Sequence, residues 1–546
     1  MSDTMTGRTK AEMEAQKGAP KAKRQAGRPK ALPAIDPSWP QDEEGPDYWK
    51  VYIMKMKAEG KIDVKIDHPL NMDWVLTHEW LEVYFTRLNL EPRFVPRTGE
   101  LVLWAPELDQ SNSLQFNTDT DTYQVRAEDG TWLGQPNWRA GMVTQSPEEP
   151  TNFMDIIMLT EKKNTSVSYF GFRVETLPDP IGVDKSFSLH YKYVPLKAIK
   201  PFNAFHLFLD KVPREALHPS IEHAVTVMAS FNLLSHVRFE GTWPNARIHS
   251  RGIYIGTELI ALKDAIRLKP FGLKWEDVEG GDPTYYPIDV MVVNDIVLQL
   301  DECDDDPKSP QLAKHITALL FGKVYTLDKN RLDHPIPFTK EPLEKLSYDE
   351  VMSAFHQVGM HGYGDWYRVA GGKKCAVSHQ LVLGRCYEPL AMTPYFGDER
   401  LDFDLHNVLK GRHYSKQVDH RIPDNREWFW GDSRVEVLGL ESVNGVECGA
   451  AASQRETPER WQAILKILMG RYTEADVEKA RLPRRVGRPS KKFREVSKTS
   501  SLVSSGLGGI SDTEEGGKEA DSEMDLSESE LKAPIPFRGK EETDSS

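Results

Sequence analysis

Between residues 99 and 325 the apolar residues come in short runs bounded by Gly, Pro, Asn and Asp, a punctuation that admits β-strands far more readily than long helices. Residues 99–104, 138–144, 155–159, 166–174 and 192–202 read as five strands, enough for a small barrel. One helical stripe interrupts them. His218-Pro219-Ser220 opens a stretch that sets Ile221, Ala224, Val225, Met228, Phe231 and Leu234 on one face, which predicts a packed connector helix over 218–236. Strands resume at 252–260, 264–270, 288–297 and 316–325, and residues 77–85 are spaced like a short amphipathic helix. The expected fold is α+β and mainly β. It has a mixed segment at 41–98, a barrel-like domain at 99–205, a connector helix within 206–249, a second barrel-like domain at 250–450 and a helix within 451–480.

A chain of 546 residues accommodates two to four domains at about 150 residues each. No apolar run approaches the roughly 20 residues of a membrane span, and the N-terminus lacks the apolar stretch of a secretory signal. Cys303, Cys375, Cys386 and Cys448 are scattered, with no Cys-x-x-Cys and no His at zinc spacing, which argues against a disulfide framework and a zinc finger and for a reducing compartment. Neither a metal nor a cofactor is expected. The run at 301–306 lacks the Gly and Glu of a calcium loop and reads as a solvated charge run.

Charge is unevenly placed. The chain carries −14 overall, with +5 over residues 1–32, +7 over 480–498 and −8 over 499–546, which leaves 33–479 at −18. The last stretch is rich in Ser, Gly and acid and reads as a disordered tail. An acidic core suits basic partners such as histone tails, whereas DNA phosphates call for the basic arms. Each arm centres on Gly-Arg-Pro: Arg24, Gly27, Arg28, Pro29 and Lys30 in the first, and Arg484, Arg485, Gly487, Arg488, Pro489, Lys491 and Lys492 in the second. Such a segment resembles an AT-hook, whose extended Gly-Arg-Pro inserts Arg into the narrow minor groove of A·T-rich DNA. Ala26 and Val486 stand where a hook has a further Arg. A nuclear-import signal or a solvated linker is the alternative reading.

The order of the first strand set resembles SH3-like barrels of the PWWP and Tudor type. Readers of that kind hold methylated ammonium in an aromatic cage, for which Trp104, Trp138, Tyr169 and Phe170 are the candidates. Aromatics on short strands more commonly pack a core, and core is the favoured reading here. The second set, with Asp264-Ala265-Ile266-Arg267-Leu268 followed by Met291-Val292-Val293 and Gly322-Lys323-Val324-Tyr325, resembles a bromo-adjacent homology (BAH) domain. Three further stretches are distinctive: 68–74 (His-Pro-Leu-Asn-Met-Asp-Trp), 382–389 (Val-Leu-Gly-Arg-Cys-Tyr-Glu-Pro) and 428–436 (Trp-Phe-Trp-Gly-Asp-Ser-Arg-Val-Glu). With 171–202 and 252–269 they resemble the fungal cryptic loci regulator 2 family of transcription-silencing proteins over roughly residues 60–450. That resemblance implies a fungal nuclear, non-catalytic subunit of a heterochromatin repressor complex containing a histone deacetylase and a Snf2-type remodeler. It also implies a middle domain compared with methyl-CpG-binding modules, for which no contact residue is assigned.

Catalytic motifs are missing from the sequence. There is no Walker loop, nucleophile elbow or His-Glu-x-x-His, and Thr118-Asp119-Thr120-Asp121 in a polar loop reads as a turn rather than a metal pair. The chain is therefore read as not an enzyme. Two rival readings stay open: an enzyme with an unrecognised site around Glu388, His413 and Asp432, and a free-standing histone methyl-lysine reader.

Overall fold

The structure, a computed structural model, describes residues 48–480 apart from 67–77, 110, 148, 159–170, 181–190, 270–288, 307–308, 310, 330–342, 356–359, 398–400, 402–404, 424, 441, 444–445 and 448–472. Both Gly-Arg-Pro arms, the acidic tail and the 68–74 motif lie outside the described residues. The described part is mixed helix and strand, mostly strand.

Helix α1 (Tyr48–Glu59) and strand β1 (Lys61–Lys65) form the first unit, and helix α2 (His78–Leu90) follows. Strands β2 (Leu101–Trp104), β3 (Ser113–Asn117), β4 (Thr122–Arg126), β5 (Trp132–Gly134), β6 (Arg139–Gln145), β7 (Phe172–Thr176), β8 (Tyr191–Val194) and β9 (Ile199–Pro201) come next. They make a five-stranded sheet in the order β8-β7-β6-β2-β9 and a separate three-stranded sheet β3-β4-β5. Helices α3 (Phe205–Leu209) and α4 (Pro219–Thr226) lead to the long strands β10 (Ser230–Thr242) and β11 (Asn245–Ile255). Beyond these lie β12 (Glu258–Ala261), β13 (Ala265–Leu268), β14 (Asp289–Cys303), β15 (Ala313–Thr326), β16 (Glu344–Lys345), α5 (Tyr348–Phe355), β17 (Tyr367–Arg368), β18 (Cys375–Ser378) and β19 (Val382–Arg385). Helices α6 (Pro389–Phe396) and α7 (Leu405–Val418), strand β20 (Phe429–Trp430) and helix α8 (Arg434–Val437) follow. The short pair β21 (Ser442–Val443) and β22 (Val446–Glu447) and helix α9 (Glu474–Ala480) close the described chain.

A 12-stranded sheet takes the path β1-β10-β11-β14-β15-β17-β16, with β12, β13, β18, β19 and β20 attached beside it. Its long strands alternate: Ile248, Leu298, Leu300, Ala318 and Leu320 face one apolar core, while Arg247, Gln299 and Thr317 turn outward. A second core runs from Phe85 to Leu440 and draws side chains from both large sheets, among them Leu103, Phe172, Phe202, Leu234, Leu259 and Tyr395.

Two sequence expectations are corrected. Residues 155–159 are not a strand: Phe153–Ile156 is a 3₁₀ turn. Met154 N donates to Asn152 Oδ1 at 2.9 Å and Asn152 N to Asp155 Oδ2 at 2.8 Å, a reciprocal cap that overrides the strand preference of Ile156 and Ile157. The connector helix is also shorter than read. It ends at Thr226, and from Ser230 the chain is strand, because Phe231 and Leu233 face a core while Ser230 and Phe231 pair with Phe429 and Trp430. Residues 192–202 form β8 and β9 with a 3₁₀ turn, Leu196–Ala198, between them.

Candidate functional site

Charge inside the protein gathers where the two large sheets meet. Glu100 enters from the residue before β2, Arg93 and Arg97 from the segment after α2, Glu258 from β12, Asp264 from the turn after it, and Arg385 and Tyr387 from β19 and beyond. All seven are buried. Arg97 donates to both oxygens of Asp264, at 2.5 and 3.0 Å, and Ala261 N adds a third bond at 2.8 Å. Arg93 stands 3.4 Å from the same carboxylate. Glu100 accepts from Arg385 Nη2 at 2.8 Å, Arg97 N at 2.7 Å and Leu259 N at 2.9 Å. Glu258 accepts from Arg385 N at 2.7 Å and from the Tyr387 hydroxyl at 2.9 Å.

Burial pushes the Asp264 carboxyl up, but Arg97 and Arg93 outweigh it and hold the group down at about 2. Burial, with Glu258 nearby, raises the Glu100 carboxyl against the lowering effect of Arg385 and Arg97. A second buried arginine ties the same junction: Arg434 donates to Gly99 O at 2.9 Å and Gly256 O at 2.8 Å, with its guanidinium 4.6 Å from the Tyr254 ring centre.

Three of the stretches that carry the family resemblance converge here: Asp264 belongs to 252–269, Arg385, Tyr387 and Glu388 to 382–389, and Arg434 to 428–436, so their polar residues lock the two sheets together. The adjoining cleft, lined by Phe94, Pro96, Glu258, Tyr387 and Tyr395, has room for about one water molecule. That is far below the space a small-molecule substrate needs.

Two further charged groups stand apart from this network. Lys200 is buried beside Tyr395, its Nζ 5.1 Å from the ring centre, and burial lowers it to about 7. His249 on β11 lies between Asp295 on β14, at 3.2 Å, and Glu240 on β10, at 3.3 Å. The hydrogen bond to Asp295 raises its pKa against the opposing effect of burial.

Around the same junction an apolar surface faces outward. Leu90 at the end of α2, Met154 in the 3₁₀ turn, Ile157 and Met158 just after it, and Leu390 in α6 are all exposed. Arg93 N donating to Glu388 Oε1 at 3.1 Å joins the α2 end to the start of α6, and α6 packs on the 3₁₀ turn. The sequence reading missed this surface, and only the density of Met and Ile at 154–158 hints at it.

The cage candidates fall into two groups. Trp104 and Trp138 are 2% and 4% exposed, packed in the core with Arg139 over one ring and Phe208 against the other, so neither offers an open ring face to a ligand. Tyr169 and Phe170 lie outside the described residues.

Of the residues weighed for catalysis, Glu388 packs beside Arg93, His413 contacts Gln417 on α7, and Asp432 accepts from Trp49 Nε1 at 3.5 Å. None of the three lines the cleft. Burial pushes the Glu388 carboxyl up to about 7. Residues 118–121 form the turn between β3 and β4, and His223 bridges Pro178 O at 2.9 Å and Leu438 O at 2.6 Å as a packing histidine. Among the described residues no group of three His, Cys, Asp or Glu could hold a metal ion, and no helix is long and apolar enough to cross a membrane. Cys303, Cys375 and Cys386 are buried thiols.

Comparison with known proteins gives one family. Residues 249–388 match the family model for the transcription-silencing protein Clr2, as the sequence resemblance led one to expect. Among solved structures, that of Clr2 bound to the Clr1 C-terminus is similar at 13% identity with a TM-score of 0.30, over 66% of this chain and 60% of that one. No curated protein matches.

Proposed function

We propose that the chain is a non-catalytic scaffold of transcriptional silencing in the fungal nucleus. On this reading it links a heterochromatin repressor complex, with its histone deacetylase and Snf2-type remodeler, to chromatin. The observation that carries the reading is the silencing-family match over residues 249–388, a stretch whose distinctive polar side chains serve a buried joint between sheets rather than an open catalytic cleft. The two large sheets are proposed as SH3-like and BAH-like interaction modules. The exposed residues Leu90, Met154, Ile157, Met158 and Leu390 are proposed to receive an apolar partner segment, a role comparable to the Clr1 C-terminus bound by Clr2.

The Gly-Arg-Pro arms, through Arg28 and Arg488, supply accessory DNA contact in this scheme. Purification of the tagged full-length protein from fungal nuclei tests the proposal. A deacetylase and a remodeler recovered in stoichiometric amounts support it. Recovery of the protein alone from nuclei, or from another compartment, overturns it.

A further inference from the structure

Three departures from ordinary strand chemistry coincide at one place on the surface of the 12-stranded sheet. A bulge interrupts the β14–β15 ladder between Val293 and Asp295, and bulges re-aim side chains and gather beside binding sites. Lys263, whose N–H donates to Val293 O at 2.7 Å, holds φ at 72°, a left-handed conformation that costs a lysine free energy. Across the next strands Val292 faces Lys323 and Gly322 faces Cys375, so Lys374, the residue that leads into β18, lies beside Lys323 at the end of the ladder. Like charges brought together across a ladder are destabilising.

Lys263, Lys323, Lys373 and Lys374 are all exposed. Among the described residues, Lys263, Lys323 and Lys374 form no ion pair. Asp295, the carboxylate across the bulge, is held by His249. The lysines reach from the turn before β13 to the start of β18, three strand spacings or about 14 Å. They stand on a body whose net charge over residues 33–479 is −18.

We propose that Lys263, Lys323 and Lys374, with Lys373 beside them, form a phosphate-contact surface for duplex DNA on the folded body, distinct from the Gly-Arg-Pro arms and independent of the silencing assignment. A duplex presents a rigid row of phosphates over such a span, and binding it relieves the repulsion between Lys323 and Lys374. Single-stranded nucleic acid calls for stacking rings, and the exposed residues here, Asn294 included, provide none. The lysines read no bases, so the contact is independent of sequence.

The test is fluorescence anisotropy of the full chain with a mixed-sequence duplex of about 30 base pairs across a salt series. Three proteins are compared with the parent: the triple variant Lys263→Gln/Lys323→Gln/Lys374→Gln, the single variant Lys323→Glu, and the arm variant Arg28→Ala/Arg488→Ala. The triple variant is expected to lower the slope of log K against log salt by about 2.7, at about 0.9 per phosphate contact, and to weaken low-salt binding at least tenfold. Lys323→Glu replaces a repulsion with an ion pair, so it is expected to unfold no earlier than the parent while binding more weakly, which separates lost contact from lost fold. An arm variant that keeps the parent slope alongside a weakened triple variant leaves this surface standing and removes the arms. Parent-like slope and affinity in the triple variant overturn the proposal, as does an acidic peptide or a single strand that binds as tightly as the duplex.

Discussion

Two groups of cations in this protein sit in opposite circumstances. At the sheet junction Arg93, Arg97, Arg385 and Arg434 are buried and bound to Asp264, Glu100 and backbone carbonyls, whereas Lys263, Lys323 and Lys374 near the bulge are exposed and, among the described residues, form no ion pair. Arginine suits the first place because its planar fork meets two acceptors at once, and lysine suits the second because a hydrated point charge on a flexible stem tolerates an open surface. Buried charge left unmatched is severely destabilising, so the junction depends on its arginines and acids staying paired. A surface with its charges unmatched holds together without a ligand and gains by acquiring one.

The contrast can be broken most forcefully at the junction. Asp264→Asn leaves Arg93 and Arg97 buried against a neutral amide and is expected to destabilise by about 3–5 kcal/mol, measured by urea unfolding. A loss below about 1 kcal/mol would mean that water reaches the network. Next in size is Lys200, buried with no carboxylate partner among the described residues. Its folded pKa of about 7 lies below the ordinary 10.5, so between those values the unfolded chain holds the extra proton and stability should rise with pH. Lys200→Met should flatten that rise and stabilise the protein at pH 7, by about 1 kcal/mol or more. An unchanged pH profile would show that Lys200 is not the group responsible.

His249 lies between the two extremes, partly buried and clasped by two carboxylates. Its folded pKa is raised above 6.5, so its contribution is complete below 6.5 and is lost as pH rises through the folded value. His249→Gln should remove that pH dependence, an effect of about 1 kcal/mol for partly exposed partners. An NMR titration that placed His249 at or below 6.5 would contradict this. The smallest effect belongs to the bulge. Lys374→Gln alone should stabilise by a few tenths of a kcal/mol, roughly, by removing one like-charge pair, and a destabilised variant would imply an attractive partner instead.

How far the sequence reveals these features depends on the residue. Strands β14 and β15 are legible in residues 288–297 and 316–325 because their apolar character is sustained and bounded, and β13 is legible for the same reason, whereas the run 252–260 joins the end of β11 to β12 across the turn at Gly256 and Thr257. Residues 155–159 mislead because a cap formed by Asn152 and Asp155 outweighs the preference of two isoleucines. The 218–236 helix is half right: the stripe through Ile221 and Ala224 is helical, but Phe231 and Leu234 lie on opposite faces of β10, each buried in a different core, so their apolar character does not come from one helical face. The β3-β4-β5 sheet escapes because polar residues such as Gln115 and Gln124 dilute its pattern. At the site, the motifs containing Asp264, Arg385 and Arg434 stand out in the sequence, yet their convergence does not, since the chain separations between partners reach 335 residues for Gly99 and Arg434. The neighbouring lysines depend on strand register, which no local pattern encodes.

The central claim is that the chain silences by holding partners and not by catalysis. The most direct measurement is the transcript level of a silenced reporter in cells whose own copy is replaced by variants, with protein abundance measured alongside. Deletion is expected to raise the transcript. A combined Glu388→Gln/His413→Ala/Asp432→Asn variant, which removes the polar groups of the only catalytic reading considered, is expected to silence like the parent at equal abundance. Transcript rising to the deletion level in that variant, with abundance and recovered partners unchanged, would contradict the scaffold account.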